Sequence, residues 1–141
     1  MLCQDLMKTD VRCVSRRATV EEAAVIMRDA GIGFLPVCDE SMQVFGTLTD
    51  RDIAIRVVAA KKPVETLVED VMTREIIHCR PDDDIEKAEA LMAANHKSRI
   101  VCRDEIGQLV GVISLSDIAK RAGAEAAAET LREVTEREAR P

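Results

Sequence analysis

Gly46-Thr47-Leu48-Thr49-Asp50-Arg51-Asp52-Ile53 returns later in the chain as Gly111-Val112-Ile113-Ser114-Leu115-Ser116-Asp117-Ile118. The two octets share one pattern: glycine, two residues, a hydroxyl, two residues, Asp, Ile. The offset between them is 65 residues, from 46 to 111, and it holds along most of the chain without a gap. Asp5 falls on Asp70, Met7 on Met72, Glu21 on Glu86, Met27 on Met92 and Asp39 on Asp104. Apolar residues meet apolar residues at Val20/Ile85, Leu35/Ile100 and Leu48/Ile113. The chain is an internal duplication, and the period decides the fold before any single element does. Each copy is roughly 55 residues, too small to bury a comfortable core alone, so the two copies are expected to pack together.

Working outward from the octets, the same order of elements reads twice. In the first copy, residues 11–14 read as a short strand. Thr19 and Glu22 form a capping box that opens a helix bearing Val20, Ala23, Met27 and Ala30. Gly31 and Gly33 end it. Residues 34–38 are an apolar strand in which Pro36 signals an edge or a bulge. Residues 44–48 are the next strand, and Thr49 starts a helix to about Ala60. The second copy repeats this with strands at 76–79, 100–102 and 109–113, a helix carrying Ile85, Ala88, Leu91 and Met92, and a last helix opened by Ser114. Residues 68–72 read as a short helix leading into it. The expected fold is α/β (α+β): two β-α-β-β-α repeats related by a pseudo-twofold. Residues 1–62 are taken as the first repeat, 63–123 as the second and 124–141 as a C-terminal helical extension. That extension, with Ala127, Leu131 and Val134 on a thin apolar face, reads either as a solvated tail or as a helix that docks on a partner.

Composition narrows the function classes. The chain has 141 residues, 47% of them hydrophobic and 33% charged, which fits a globular protein rather than a disordered one. The net charge of −6 argues against a nucleic-acid partner, and Phe34 and Phe45 are too few aromatics for a stacking platform. No apolar run reaches the roughly 18 residues of a membrane span, and no secretory signal is visible, so a cytoplasmic location is expected. The five cysteines (3, 13, 38, 79 and 102) form no paired metal-binding spacing and are expected to be reduced, buried and hydrophobic in role. His78, Cys79 and His96 match no zinc pattern, so no metal is expected. No nucleophile elbow, P-loop or His-Glu helix motif occurs, and no nucleophile-base-orienter set can be assembled, so no catalytic residue is assigned.

The octets carry the chemistry. Their hydroxyl and Asp fall at the N-cap and third position of a helix. One reading is purely structural, because Ser/Thr-x-x-Asp is a capping box and needs no ligand. The other uses the same geometry. A helix N-terminus offers free N–H groups to a phosphate, and an Asp accepts from the two hydroxyls of a ribose.

The stretch from about Asp5 to Arg121 resembles a tandem pair of CBS domains, often called a Bateman module. The resemblance rests on Asp5-Leu6-Met7-Lys8 and its repeat Asp70-Val71-Met72-Thr73, on Phe34-Leu35-Pro36-Val37 and on both octets. It implies two clefts between the repeats for adenosine derivatives (AMP, ADP, ATP or S-adenosylmethionine), a regulatory role without catalysis, no required cofactor, and a homodimer with a possible further protein target. Carried over, one cleft would use Thr47, Thr49, Arg51 and Asp52, with Glu75, Ile77, Ser98 and Arg99 from the second repeat. The other would use Val112, Ser114, Ser116 and Asp117, with Asp10, Arg12, Gly33 and Phe34 from the first. Lys120 and Arg121 lie one turn beyond Asp117 and could reach a phosphate, as could Arg56 in the first copy; a plain surface cation is the alternative. Where the copies stop matching, as at Arg51 and Ser116, the two sites are expected to differ.

Overall fold

The computed structural model describes residues 1–121 and 123–136. In chain order the elements are α1 (Cys3–Leu6), β1 (Val14–Ser15), α2 (Val20–Ala30), β2 (Phe34–Cys38), β3 (Val44–Thr49), α3 (Asp50–Ile53), which continues as a π-helical segment (Ala54–Val58), α4 (Val68–Val71), β4 (His78–Cys79), α5 (Ile85–Asn95), β5 (Arg99–Arg103), β6 (Leu109–Ser114), α6 (Leu115–Arg121) and α7 (Ala124–Thr135). The duplication is visible element by element, and each copy is β-α-β-β-α. Among the described residues no helix is long and apolar enough to cross a membrane.

Each copy owns a three-stranded sheet, β1-β2-β3 or β4-β5-β6. The first pair is parallel and the hairpin antiparallel, with matching registers: Val14↔Val37 and Cys79↔Cys102 in the parallel pairs, Phe34↔Thr49 and Arg99↔Ser114 in the hairpins. A register shift falls at the same place in both, between Val37 and Cys38 and between Cys102 and Arg103. The bulge anticipated near Pro36 is therefore real, but its strand is central, not an edge. Proline is tolerated there because β1 joins β2 only from Val37 onward. In the second copy the equivalent Val101 N–H donates to Ile77 O at 3.4 Å, so Pro36 forfeits one long bond. Where strands are expected at 11–14 and 76–79, only Val14–Ser15 and His78–Cys79 find partners, so the first is shorter and ends one residue later, and the second keeps its last two residues.

Helix α2 forms as its sequence dictates. Thr19 Oγ1 accepts from Glu22 N–H at 3.1 Å, Glu22 Oε2 accepts from Thr19 N–H at 3.0 Å, and Gly31 closes the helix in the left-handed region at φ 67°. In α5 the same offices fall to Asp84, whose side chain caps Glu86 N–H, and to His96, left-handed at φ 53°.

The compact units do not follow the order of the repeats. One unit is Arg12–Ile76; the other joins Met1–Val11 to the chain from Ile77 onward. The short helix that precedes each repeat in sequence thus packs with the other one. Val68 N–H donates to Ala18 O and Glu69 N–H to Arg16 O, at 2.8 and 3.0 Å. At the equivalent positions Cys3 N–H donates to Asp83 O and Gln4 N–H to Pro81 O, both at 2.8 Å. Val68, Val71 and Met72 complete the core of Val20, Ala23, Met27, Leu35, Val37 and Leu48. Cys3 and Leu6 complete that of Ile85, Ala88, Met92, Ile100, Cys102 and Ile113. The tail is not a solvated extension over its described residues. Helix α7 packs on α5 and α6, with Thr130 and Val134 buried but Leu131 exposed; the side chain of Ala127 and residues 137–141 lie outside the described residues.

The glycine of each octet lets these lead-in segments approach. A Cβ on Gly46 would stand 2.5 Å from Thr73 O, and one on Gly111 would stand 2.8 Å from Met7 Sδ and 2.9 Å from Lys8 O. Gly46→Ala should cost roughly 1–3 kcal/mol in urea unfolding, because a backbone oxygen cannot swing aside. Gly111→Ala should cost somewhat less, since the Met7 side chain can move and the backbone oxygen of Lys8 stands farther off, at 2.9 Å against 2.5 Å; equal costs would contradict this.

Candidate functional site

In the first unit, β3 ends and α3 begins at Thr49. The extended backbone of Thr49 puts its hydroxyl over the first turn, where it accepts from Asp52 N–H at 3.0 Å. Asp52 Oδ2 in return accepts from Thr49 N–H at 3.0 Å. The capping box is therefore formed, and it occupies one carboxylate oxygen. The other, Oδ1, faces Arg56 Nη2 at 3.9 Å, while Arg56 Nη1 donates to Val71 O at 2.9 Å. Gly33 and Phe34 stand beside this turn: Asp50 N–H donates to Gly33 O at 3.0 Å, and Phe34 is the register partner of Thr49. A Cβ at Gly33 would lie 2.6 Å from Asp50 Oδ2, so the glycine makes room for that carboxylate. Thr47 is bridged to Thr73 by two backbone bonds of 3.0 and 2.9 Å. Arg51 and Arg12 are exposed.

The second unit builds the same junction with different chemistry. Ser114 N–H and Ser114 Oγ both donate to Asp117 Oδ2, at 2.9 and 2.8 Å, and Asp117 N–H donates to Ser114 Oγ at 3.2 Å. Ser116 Oγ lies 2.7 Å from Ser114 Oγ. Asp117 is 7% exposed, more enclosed than its counterpart Asp52. Its Oδ1 lies 3.4 Å from Lys8 Nζ. Ser98 and Arg99 border this turn, through Leu115 N–H to Ser98 O at 3.0 Å and the Arg99↔Ser114 register. Val112 is bridged to Lys8, as Thr47 is to Thr73. Ile77 is half-buried, and Asp10 and Lys120 are exposed. The Arg121 side chain lies outside the described residues.

Lys8 is the residue that the sequence reading passed over. Lys8 stands in the Asp5-Leu6-Met7-Lys8 run, but its equivalent under the 65-residue offset is Thr73, so the duplication does not mark it as a cation site. Only the exchange of lead-in segments brings it to Asp117. Among the described residues no three His, Cys, Asp or Glu side chains are grouped to hold a metal ion. The Lys8 side chain is 65% exposed, so Lys8→Ala should cost less than about 1 kcal/mol in chemical unfolding. Asp117→Ala strips the partner from two Ser114 donors and should cost about 1–3 kcal/mol. A Lys8 effect as large as the Asp117 effect would mean that the ion pair, not the capping box, holds this turn.

The family model of the CBS domain matches residues 3–59 and again 68–124. The CBS domain-containing protein YhcV of Bacillus subtilis is 37% identical over 116 residues, covering 82% of this chain and 81% of YhcV. Hypoxic response protein 1 of Mycobacterium tuberculosis is 32% identical over 118 residues, 83% of this chain and 82% of that protein. The crystal structure of Hypoxic Response Protein I with two coordinated zinc ions superposes with a TM-score of 0.78 at 30% identity, over 86% of this chain and 98% of that one. The CBS domain pair of protein MJ0100, in complex with 5′-methylthioadenosine and S-adenosyl-L-methionine, does so with a TM-score of 0.78 at 26% identity, over 89% and 98%. With two matched repeats, the duplicated octets and paired sheets of the same register, the chain belongs to the CBS domain family as a tandem pair.

Proposed function

We propose that this CBS pair is a regulatory module without catalytic activity that binds an adenosine derivative, AMP, ADP, ATP or S-adenosylmethionine, at its two strand–helix junctions. The observation that carries this is the division of labour within each carboxylate. Capping engages Oδ2 of Asp52 and of Asp117 and leaves Oδ1 to a cation at 3.9 or 3.4 Å. An oxygen so placed accepts a ribose hydroxyl without dismantling the cap, so the structural and ligand-binding readings of Ser/Thr-x-x-Asp are compatible. Arg51 beside Asp52, and Lys8 beside Asp117, supply cations for a phosphate or carboxylate. The adenosine compounds bound by the MJ0100 pair support the same ligand class. Thr47, Thr49, Arg51, Asp52, Arg12, Gly33 and Phe34 from one unit, and Asp10, Ile77, Ser98, Arg99, Val112, Ser114, Ser116, Asp117 and Arg121 from the other, are the proposed contacts.

Thermal denaturation with AMP, ADP, ATP and S-adenosylmethionine tests this. A ligand at about 100 times its Kd adds roughly 2.7 kcal/mol of stability and a clear rise in Tm. Asp52→Ala and Asp117→Ala should each abolish one binding event in calorimetric titration. If no adenosine compound at millimolar concentration moves the Tm, the junctions are capping boxes and nothing more.

The module also self-associates through the helical face of its first repeat. Val25 on α2 and Ile55 and Val58 on the π-helical segment are 37%, 49% and 71% exposed. At the equivalent positions the second repeat has Ala90, Lys120 and Gly123, which are exposed but present no large apolar side chain. Sedimentation should give a dimer for the wild type and a monomer for Val58→Glu; a monomeric wild type would end this part of the proposal.

A further inference from the structure

Three thiols converge in the core of the second repeat. Cys79 on β4 and Cys102 on β5 are register partners in a parallel pair, and their sulfurs are 3.2 Å apart. Cys3 of α1 covers them and donates to Asp84 O at 3.8 Å. All three are at most 1% exposed and all are free thiols. The fold does not demand sulfur here. By the 65-residue offset Cys79 falls on Val14 and Cys102 on Val37, which are register partners in the first repeat and equally buried. A valine pair fills the same space in the twin sheet.

Paired strands lie about 4.8 Å apart, within the roughly 4.4–6.8 Å of Cα separation that a disulfide spans. We propose that Cys79 and Cys102 are a covalent modification site, at which a hydroperoxide converts the two thiols into a disulfide across β4 and β5. In the first step one thiolate attacks an oxygen of hydrogen peroxide; the O–O bond breaks, a sulfenic acid forms and hydroxide leaves as water after protonation. In the second step the neighbouring thiolate attacks the sulfenic sulfur, the S–S bond forms and a second water departs. The two sulfurs together lose two electrons and the peroxide gains them.

Burial sets the rate. The hydrogen bond with Cys102, and then burial, push the Cys79 thiol up to about 12, and the Cys3 thiol is raised further by its bond to Cys79. Thiolate is therefore scarce in the closed state. Strand β4, however, is two residues long, and its unit is closed over it by the four-residue α1. Such short elements open locally at a lower cost than global unfolding. Oxidation should follow that local opening, so the pair responds to sustained peroxide exposure rather than to a brief pulse.

The test uses the full-length protein, incubated with hydrogen peroxide, alkylated, digested with trypsin without reduction and analysed by mass spectrometry. Peptide 75–87, in which Pro81 blocks cleavage after Arg80, linked to peptide 100–103 should become the dominant disulfide species, and dithiothreitol should restore both free peptides. Cys102→Val should abolish the link, while Cys79→Val/Cys102→Val should melt cooperatively, as the valine pair of the first repeat predicts. A dominant link from Cys79 to Cys3, between Cys13 and Cys38, or between chains would overturn the proposal. So would thiols that stay free after prolonged exposure at temperatures approaching the Tm.

Discussion

The fold hangs on two short backbone bridges. Thr47 exchanges hydrogen bonds with Thr73, and Val112 exchanges them with Lys8, each across a glycine that leaves no room for a side chain. Each bridge fixes a lead-in segment against the outer strand of a hairpin. Once it is fixed, the apolar residues of that segment drop into the core: Val68, Val71 and Met72 on one side, Cys3 and Leu6 on the other. A sheet of three strands, one of them two residues long, has little to stabilise it alone. The bridges supply the missing apolar layer, and they do so by trading segments, so that neither repeat as written in the sequence is a complete folding unit.

Much of this was legible in the sequence, and the limit of legibility has a physical cause. The helices α2 and α5 are announced by local chemistry: a capping residue, an apolar stripe and, for α2, a left-handed glycine. The hairpins are announced by apolar runs around a turn. Local pattern fails where partners are distant. The lengths of β1 and β4 depend on how many residues of β2 and β5 lie opposite them, and residues 11–13 carry no mark that they lack partners. Pro36 reads as an edge residue because its missing N–H is visible, while the shortness of its neighbour is not. The exchange of lead-in segments is silent for a stronger reason. Under a 65-residue offset the core positions match whichever copy a segment packs on, so the pattern that reveals the repeat also conceals the trade.

The candidate site shows the same division. The hydroxyl and the Asp are three residues apart and legible in the sequence, since a capping box is a local object. The setting of the cations is not local. Arg56 sits one turn from Asp52, but its other nitrogen is tied to Val71 O in the traded segment. Lys8 reaches Asp117 only because α1 was traded in the other direction.

This makes the two junctions chemically unequal. At Asp52 the guanidinium is anchored by a backbone oxygen and held 3.9 Å away, so a hydroxyl arriving at Oδ1 displaces no strong partner. At Asp117 the ammonium is closer, but its head is mostly in water, and it can swing from the carboxylate to an anionic ligand at little desolvation cost. On the proposed function, the first junction would hold its ligand through the ribose contact, with the exposed Arg51 adding charge attraction that salt screens. The second would need a ligand that satisfies a largely buried carboxylate and engages Lys8 in the same event. A divergence that began as substitutions between matching octets thus becomes, through the traded segments, a difference in what each carboxylate must give up in order to bind.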